Sequence, residues 1–371
     1  MVMFLDLQGL IFNIYKIILN IIFYIIIFII FIILMNKKIF YYYEPLYKKG
    51  IGHWENMENN IRTYISGYTD YEYKFITNIN KIDEYNQENS TECLLYSYFI
   101  CIKIADIIKK IKFKNNIKYI FSFMTKTENI KKIRNEIIMI NNIIKNKKNV
   151  YITTDNELLL EKMKIINPKC QVIYTAMIPY KLEEKYNNIN IINSKIKILY
   201  YLNKQTDLNI LKEIIKYVEL NNNIELTIKI QIDKMLENLF DTMYKNLDNK
   251  NINVVKNFLN RDDYYMFLNQ FDIIILNYTT HGYYYRTSGI FIDSIYLKKI
   301  VLTIKDTWME KCFKNMNISN YYSKNNVTEC INKLDEIISN IDIYKKNIED
   351  NYHNIYDKYS INNIINKMII Y

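Results

Sequence analysis

From Ile39 onward, short apolar runs alternate with longer amphipathic ones, and this alternation restricts the fold more than any other feature of the chain. A short buried run, an amphipathic helix and a second short run make a βαβ unit. Repeated units build a parallel sheet covered by helices. Ile39 to Tyr43 reads as a first strand, closed by Glu44-Pro45, and a loop with Gly50 and Gly52 leads to a helix from about Glu55 to Ser66. Strands are expected at Tyr71–Thr77, Lys118–Met124, Val150–Thr153 and Val172–Ala176, with helices at Cys93–Lys112, Glu128–Ile144 and Leu158–Ile165.

A polar link from Pro179 to Asn193 interrupts the pattern, and a second series starts at Lys195. Its strands are Lys197–Leu202, Ile224–Ile230, Asn253–Lys256, Ile273–Leu276 and Ile300–Ile304. Helices cover Leu208–Leu220 and Lys234–Tyr244, and the chain is helical from Val327 to its end. The 371 residues are enough for two domains, each with its own core. The expected organisation is an N-terminal segment 1–38, a first wound domain 39–193 and a second wound domain 194–371. Two such domains facing one another make a cleft, and wound sheets bind ligands at the carboxyl ends of their strands.

Ile17 to Met35 is apolar throughout except for Asn20. As a helix this run spans about 28 Å, the thickness of a bilayer's hydrocarbon core. Lys16 stands at one end and Lys37 and Lys38 at the other, where their stems can snorkel. The expectation is one retained transmembrane helix, since no small-residue cleavage site follows it. Lys37, Lys38, Lys48 and Lys49 place the large C-terminal part on the cytoplasmic side by the positive-inside rule. A lumenal arrangement is the rival, with Asn-x-Ser/Thr sequons at Asn89, Asn277, Asn317 and Asn326 that arise readily by chance in so Asn-rich a chain.

The net charge of +10 comes from lysines scattered along the chain, without a basic arm, so nucleic acid is not an expected partner. The five cysteines are widely spaced with no CxxC pair and the three histidines are far apart, which argues against zinc and for unpaired buried thiols.

Glycine is scarce, 6 in all, yet Gly282 and Gly289 both follow the strand Ile273–Leu276 and flank Arg286, Thr287 and Ser288. A strand, a loop with Arg, Ser and Gly, then a helix is how α/β proteins hold phosphates. Arg286 can pair bidentately with a diphosphate. Ser288 and the N–H groups around Gly289 open the next helix at its positive end. Asp293, one turn on, is placed to accept hydrogen bonds from ribose or sugar hydroxyls. Residue by residue, a turn glycine, a surface arginine and an N-capping serine explain the same letters.

The stretch Asn253 to Met309 resembles the nucleotide-sugar-binding half of GT-B-fold glycosyltransferases of the family 1 and family 4 kind. The resemblance rests on Tyr264-Tyr265, Phe271-Asp272-Ile273, Asn277-Tyr278, Tyr283 to Gly289, Asp293, Lys298 to Leu302 and Thr307-Trp308-Met309. It departs from the family pattern where Asn277 replaces a proline, Asp293 a glutamate, and Lys298-Lys299-Ile300 a Gly-Lys-Pro turn. The resemblance implies an α/β GT-B architecture of two Rossmann-like domains and a glycosyltransferase; the apolar run Ile17 to Met35 makes the expected enzyme membrane-anchored, and the lack of a fitting DxD motif makes it metal-independent. The donor would be a nucleotide sugar, with no further cofactor, and the acceptor a glycan, lipid or protein. Donor binding would involve Gly52, Asn277, Tyr278, Arg286, Thr287, Ser288, Gly289 and Asp293.

In the first domain, Gly50-Ile51-Gly52-His53-Trp54 resembles the Gly-rich loop that such enzymes place after their first strand. His53 is the candidate general base or hydroxyl-positioning group, with a packed or capping role as the plain reading. His281 lies beside the donor loop, and His353 reads as a surface residue. Asp155-Asn156-Glu157 approaches a metal-binding DxD but reads equally as an acid-rich helix start, as does Asp262-Asp263 after Asn260. A nucleotide-sugar epimerase of the same fold and a non-catalytic membrane protein that kept the fold remain open.

Overall fold

The computed structural model describes residues 15–29, 38–44, 52–78, 92–100, 104–124, 129–168, 170–172, 195–203, 206, 208–231, 233–245, 249–257, 259–278 and 280–370. Two six-stranded, all-parallel sheets carry the fold. The first contains β1 (Lys38–Tyr43), β2 (Tyr71–Ile76), β3 (Glu92–Ile100), β4 (Ile117–Met124), β5 (Val150–Thr154) and β6 (Gln171–Val172), in the order β2-β1-β3-β4-β5-β6. The second contains β7 (Ile196–Leu202), β8 (Ile224–Ile230), β9 (Ile252–Val255), β10 (Ile273–Leu276), β11 (Ile300–Ile304) and β12 (Tyr321–Tyr322), in the order β12-β11-β10-β7-β8-β9. Counted from β7, the second sheet has the 3-2-1-4-5-6 order of a Rossmann fold, and its switch point lies between β7 and β10.

The central strands explain themselves. β10 is Ile-Ile-Ile-Leu and β11 Ile-Val-Leu-Thr-Ile, and every residue of both is buried, as expected where helices cover both faces. The register sets Ile273 between Ile198 of β7 and Ile300 of β11.

The expected helix Cys93–Lys112 is corrected. Residues 92–100 form β3, between β1 and β4, and among the described residues of this stretch only Ile104–Ile108 is helical. Cys93, Leu94, Leu95 and Tyr96 are all buried, so the run is apolar on both faces of the sheet. Such a run has no period, and periodicity alone cannot separate it from a buried helix. Most of the expected strand Val172–Ala176, the whole of the link Pro179–Asn193 and Gly50-Ile51 lie outside the described residues.

The division at 193/194 needs one amendment. The last helix, Ile361–Ile370, packs on the helix Gly52–Tyr68 of the first domain. Lys118 Nζ at β4 donates to the Ile369 carbonyl at 3.0 Å. One apolar cluster therefore runs from Phe40 and Tyr42 of β1 through Ile361, Ile365 and Trp308 to Ile274 and Leu276 of β10.

Of the expected membrane span Ile17–Met35, residues 17–29 are helical and exposed, and 30–35 lie outside the described residues. Among the described residues no helix is long and apolar enough to cross a membrane. Among the described residues, Cys93, Cys170, Cys312 and Cys330 are buried and form no disulfide, as the sequence leads one to expect.

Candidate functional site

β10 ends at the switch point, and the chain continues through Asn277 and Tyr278, the short helix Thr280–Tyr283 and a loop into the helix Gly289–Tyr296. Tyr278 is buried and stacks on Tyr283 with ring centroids 4.3 Å apart. The Arg286 guanidinium lies over the other member of this pair, 5.2 Å from the Tyr283 ring centroid. Arg286 is half-buried and has no carboxylate within ion-pair distance among the described residues. Burial pushes the Tyr278 and Tyr283 hydroxyls up, with Arg286 acting against it in both, so this aromatic platform is neutral.

Ser288 caps the helix, its hydroxyl accepting the Phe291 N–H at 3.3 Å. The capping reading is therefore correct, and it leaves the hydroxyl proton free to donate. Gly289 is the first helical residue, so the helix's positive end sits beside Arg286.

Asn277, an expected donor contact, is held inside the second sheet. It is 0% exposed, its Nδ2 donates to the Tyr200 hydroxyl at 2.9 Å, and its Oδ1 accepts from the Tyr322 hydroxyl at 2.7 Å. The amide ties β7, β10 and β12 together. Asp293 is buried too, and its two carboxylate oxygens accept the hydroxyls of Tyr264 and Tyr265, each at 3.1 Å. The tyrosine pair of the sequence motif thus holds the acid of the same motif.

Thr287 faces the first domain. Its Oγ1 donates to Asp155 Oδ2 at 2.6 Å, and both residues are buried. Burial raises the Asp155 carboxyl to about 7, although the Thr287 hydrogen bond and the nearby Arg286 charge oppose the rise. Asn156 caps the helix Glu157–Ile166 through the Leu159 N–H at 3.0 Å, as the helix-start reading expects. Asn260 caps Arg261–Asn269 in the same way. Glu157 accepts from Trp308 Nε1 at 3.2 Å, and Glu161 pairs with Lys311 at 3.3 Å. Asp155 to Glu161 is therefore the surface of the first domain on which the second domain rests. The sequence signal for it was the carboxyl end of β5, where wound sheets place the groups that face a cleft.

Gly52 opens the helix Gly52–Tyr68 behind β1, while the side chains of His53 and His281 lie outside the described residues. His353 is exposed. Among the described residues no cluster of three His, Cys, Asp or Glu side chains is placed to hold a metal.

Two parallel α/β domains closed on one another in this way form the GT-B fold. No family model matches the chain, and no curated protein matches it. Solved structures do. A glycosyltransferase from Rickettsia africae ESF-5 matches with TM-score 0.62 and 18% identity, covering 90% of this chain and 97% of that one. The sucrose-phosphate synthase of Thermosynechococcus elongatus matches with TM-score 0.60 and 8% identity, over 90% and 98%. The Anabaena protein HepE, solved in complex with UDP-glucose, matches with TM-score 0.59 and 10% identity, over 90% and 99%. At these identities the likeness is one of fold.

Proposed function

We propose that the protein is a membrane-anchored glycosyltransferase that moves a sugar from a nucleotide-sugar donor to an acceptor bound in the cleft. The observation that carries this reading is Arg286, stacked on a neutral tyrosine platform beside a helix N-terminus at the switch point, with no carboxylate partner among the described residues. A diphosphate is the complementary ligand. The UDP-glucose held by the structurally similar Anabaena protein supports the same donor class.

In the reaction an acceptor oxygen attacks the anomeric carbon. The new C–O bond forms as the bond to the nucleoside diphosphate breaks, and the diphosphate departs with the electron pair. Arg286 and the Gly289–Tyr296 helix dipole stabilise that charge, so transfer proceeds without a metal. Ser288 donates its free proton to a phosphate oxygen. Asp293 keeps the Tyr264-Tyr265 helix against the donor-binding helix. His53, at the start of the Gly52–Tyr68 helix, takes the acceptor proton.

Anchoring is supported by the helix 15–29, apolar on every face but for Lys16 and Asn20 and exposed throughout, which a soluble surface helix is not. With Lys37, Lys38, Lys48 and Lys49 behind it, the catalytic part lies on the cytoplasmic side. Calorimetry of the full chain in detergent against a panel of nucleotide sugars tests the donor assignment. One of them should bind, and Arg286→Ala should abolish that binding with the fold intact. Unchanged affinity in the variant would refute the assignment.

A further inference from the structure

A cavity of about 260 Å³ opens between the helices Ile130–Ile144 and Glu157–Ile166 of the first domain, and Tyr285 of the second domain reaches across to line it. Ile133, Ile137, Ile165 and Ile166 form the rest of the apolar wall, with Arg134 and Lys162 as its charged groups. Both cations are exposed, and neither has an ion-pair partner among the described residues. Ile165 is 77% exposed although it borders the cavity, and exposed Ile138 follows Arg134 by one helical turn.

The lining decides the class of ligand. A sugar or a base needs converging hydrogen-bond partners, and apart from Tyr285 and the two exposed cations this lining is made of isoleucines alone. Hydrocarbon needs none. Pockets for whole small molecules run to about 300–1,000 Å³, so this one takes a segment of chain and leaves the remainder on the apolar surface of Ile165. Two cations at the rim complement an anionic headgroup.

We propose that this cavity binds an anionic lipid, with its hydrocarbon chain between the two helices and its phosphate-bearing headgroup between Arg134 and Lys162. Tyr285 belongs to the donor loop and adjoins Arg286 in the chain, so the cavity borders that loop, and the lipid is assigned as the acceptor. That last assignment rests on the sugar-transfer reading, whereas lipid binding itself does not.

The test is photolabelling of the full chain, in neutral detergent, with a diazirine-bearing long-chain alkyl phosphate, followed by peptide mapping. Labelling should fall on 130–144 and 157–166. Excess unmodified alkyl phosphate should displace the probe, and the matching alkyl trimethylammonium and inorganic phosphate should not. Arg134→Glu combined with Lys162→Glu, and separately Ile165→Asp, should each cut labelling about tenfold at an unchanged thermal midpoint. All three side chains are exposed, so folding is not at stake. Labelling elsewhere, equal competition by the cationic amphiphile, displacement by a soluble glycan, or indifference to the variants would each overturn the proposal. Thermal shifts with nucleotide sugars on the same preparations separate the two readings. Labelling without donor binding sinks the sugar-transfer reading alone, and donor binding without labelling sinks the lipid site alone.

Discussion

Replacing Asp155 by Asn removes a charge from the domain junction while keeping its shape and an oxygen for the Thr287 hydroxyl. The Asp155 carboxyl lies at about 7 in the folded chain, against 3.8 for an ordinary one, chiefly because burial disfavours the charged form. It therefore binds its proton more tightly folded than unfolded. That preference stabilises the fold fully below pH 3.8. It is lost progressively as pH rises and is gone above about 7. At about 1.4 kcal/mol per pH unit, the whole window is worth about 4 kcal/mol. Urea unfolding of the wild-type and Asp155→Asn chains, each at pH 4.5 and pH 8, measures it directly. The variant should match the wild type within about 1 kcal/mol at the acid end and exceed it by up to about 4 kcal/mol at pH 8. A stability difference that is the same at both pH values, or a variant weaker at pH 8, would show that Asp155 does not carry a buried, titrating charge.

Two further substitutions probe the second domain. Lys298 has φ 58° at the end of the helix Gly289–Tyr296, where its N–H bonds the Ile295 carbonyl at 2.9 Å and the Lys299 N–H bonds that of Ser294 at 2.9 Å. This is a Schellman motif with lysine at the position that favours glycine. Lys298→Gly should relieve about 1–2 kcal/mol of backbone strain and lose about 0.5–1 kcal/mol from the Lys298–Tyr352 cation–π contact. The result is a net gain of up to about 1 kcal/mol in chemical denaturation, and a loss would contradict it. Asn277→Ala leaves two buried tyrosine hydroxyls without their amide and should destabilise by about 2–4 kcal/mol, with nucleotide-sugar affinity of the folded chain unchanged by calorimetry. Lost affinity at full folding would return Asn277 to the donor site.

Much of the fold was readable because a parallel sheet buried on both faces demands continuous apolar strands. β7, β10 and β11 were visible for that reason, β8 by its alternation of apolar and polar residues, and the helices between them by their amphipathic period. The same property hid β3, since nine residues without a period fit a buried helix as well. Within the site, the order strand, Arg286-Thr287-Ser288-Gly289 and helix was legible because a strand end, a capping serine and a helix start follow one another locally in the chain. The motif's lysine at Lys298 was legible too, as a departure from a glycine whose φ the structure keeps.

What the sequence determined by itself, then, was composition along the line of the chain: two series of wound units and a loop suited to phosphates. Partnership across the fold was left to tertiary structure. Asn277 became a brace between β7 and β12, Asp293 a double acceptor for Tyr264 and Tyr265, and Asp155 the seat of Thr287. Each of these polar groups is buried, and a buried polar group takes the role of whichever partner satisfies it. That partner lies as far as 132 residues away along the chain, between Asp155 and Thr287, where no local pattern reaches.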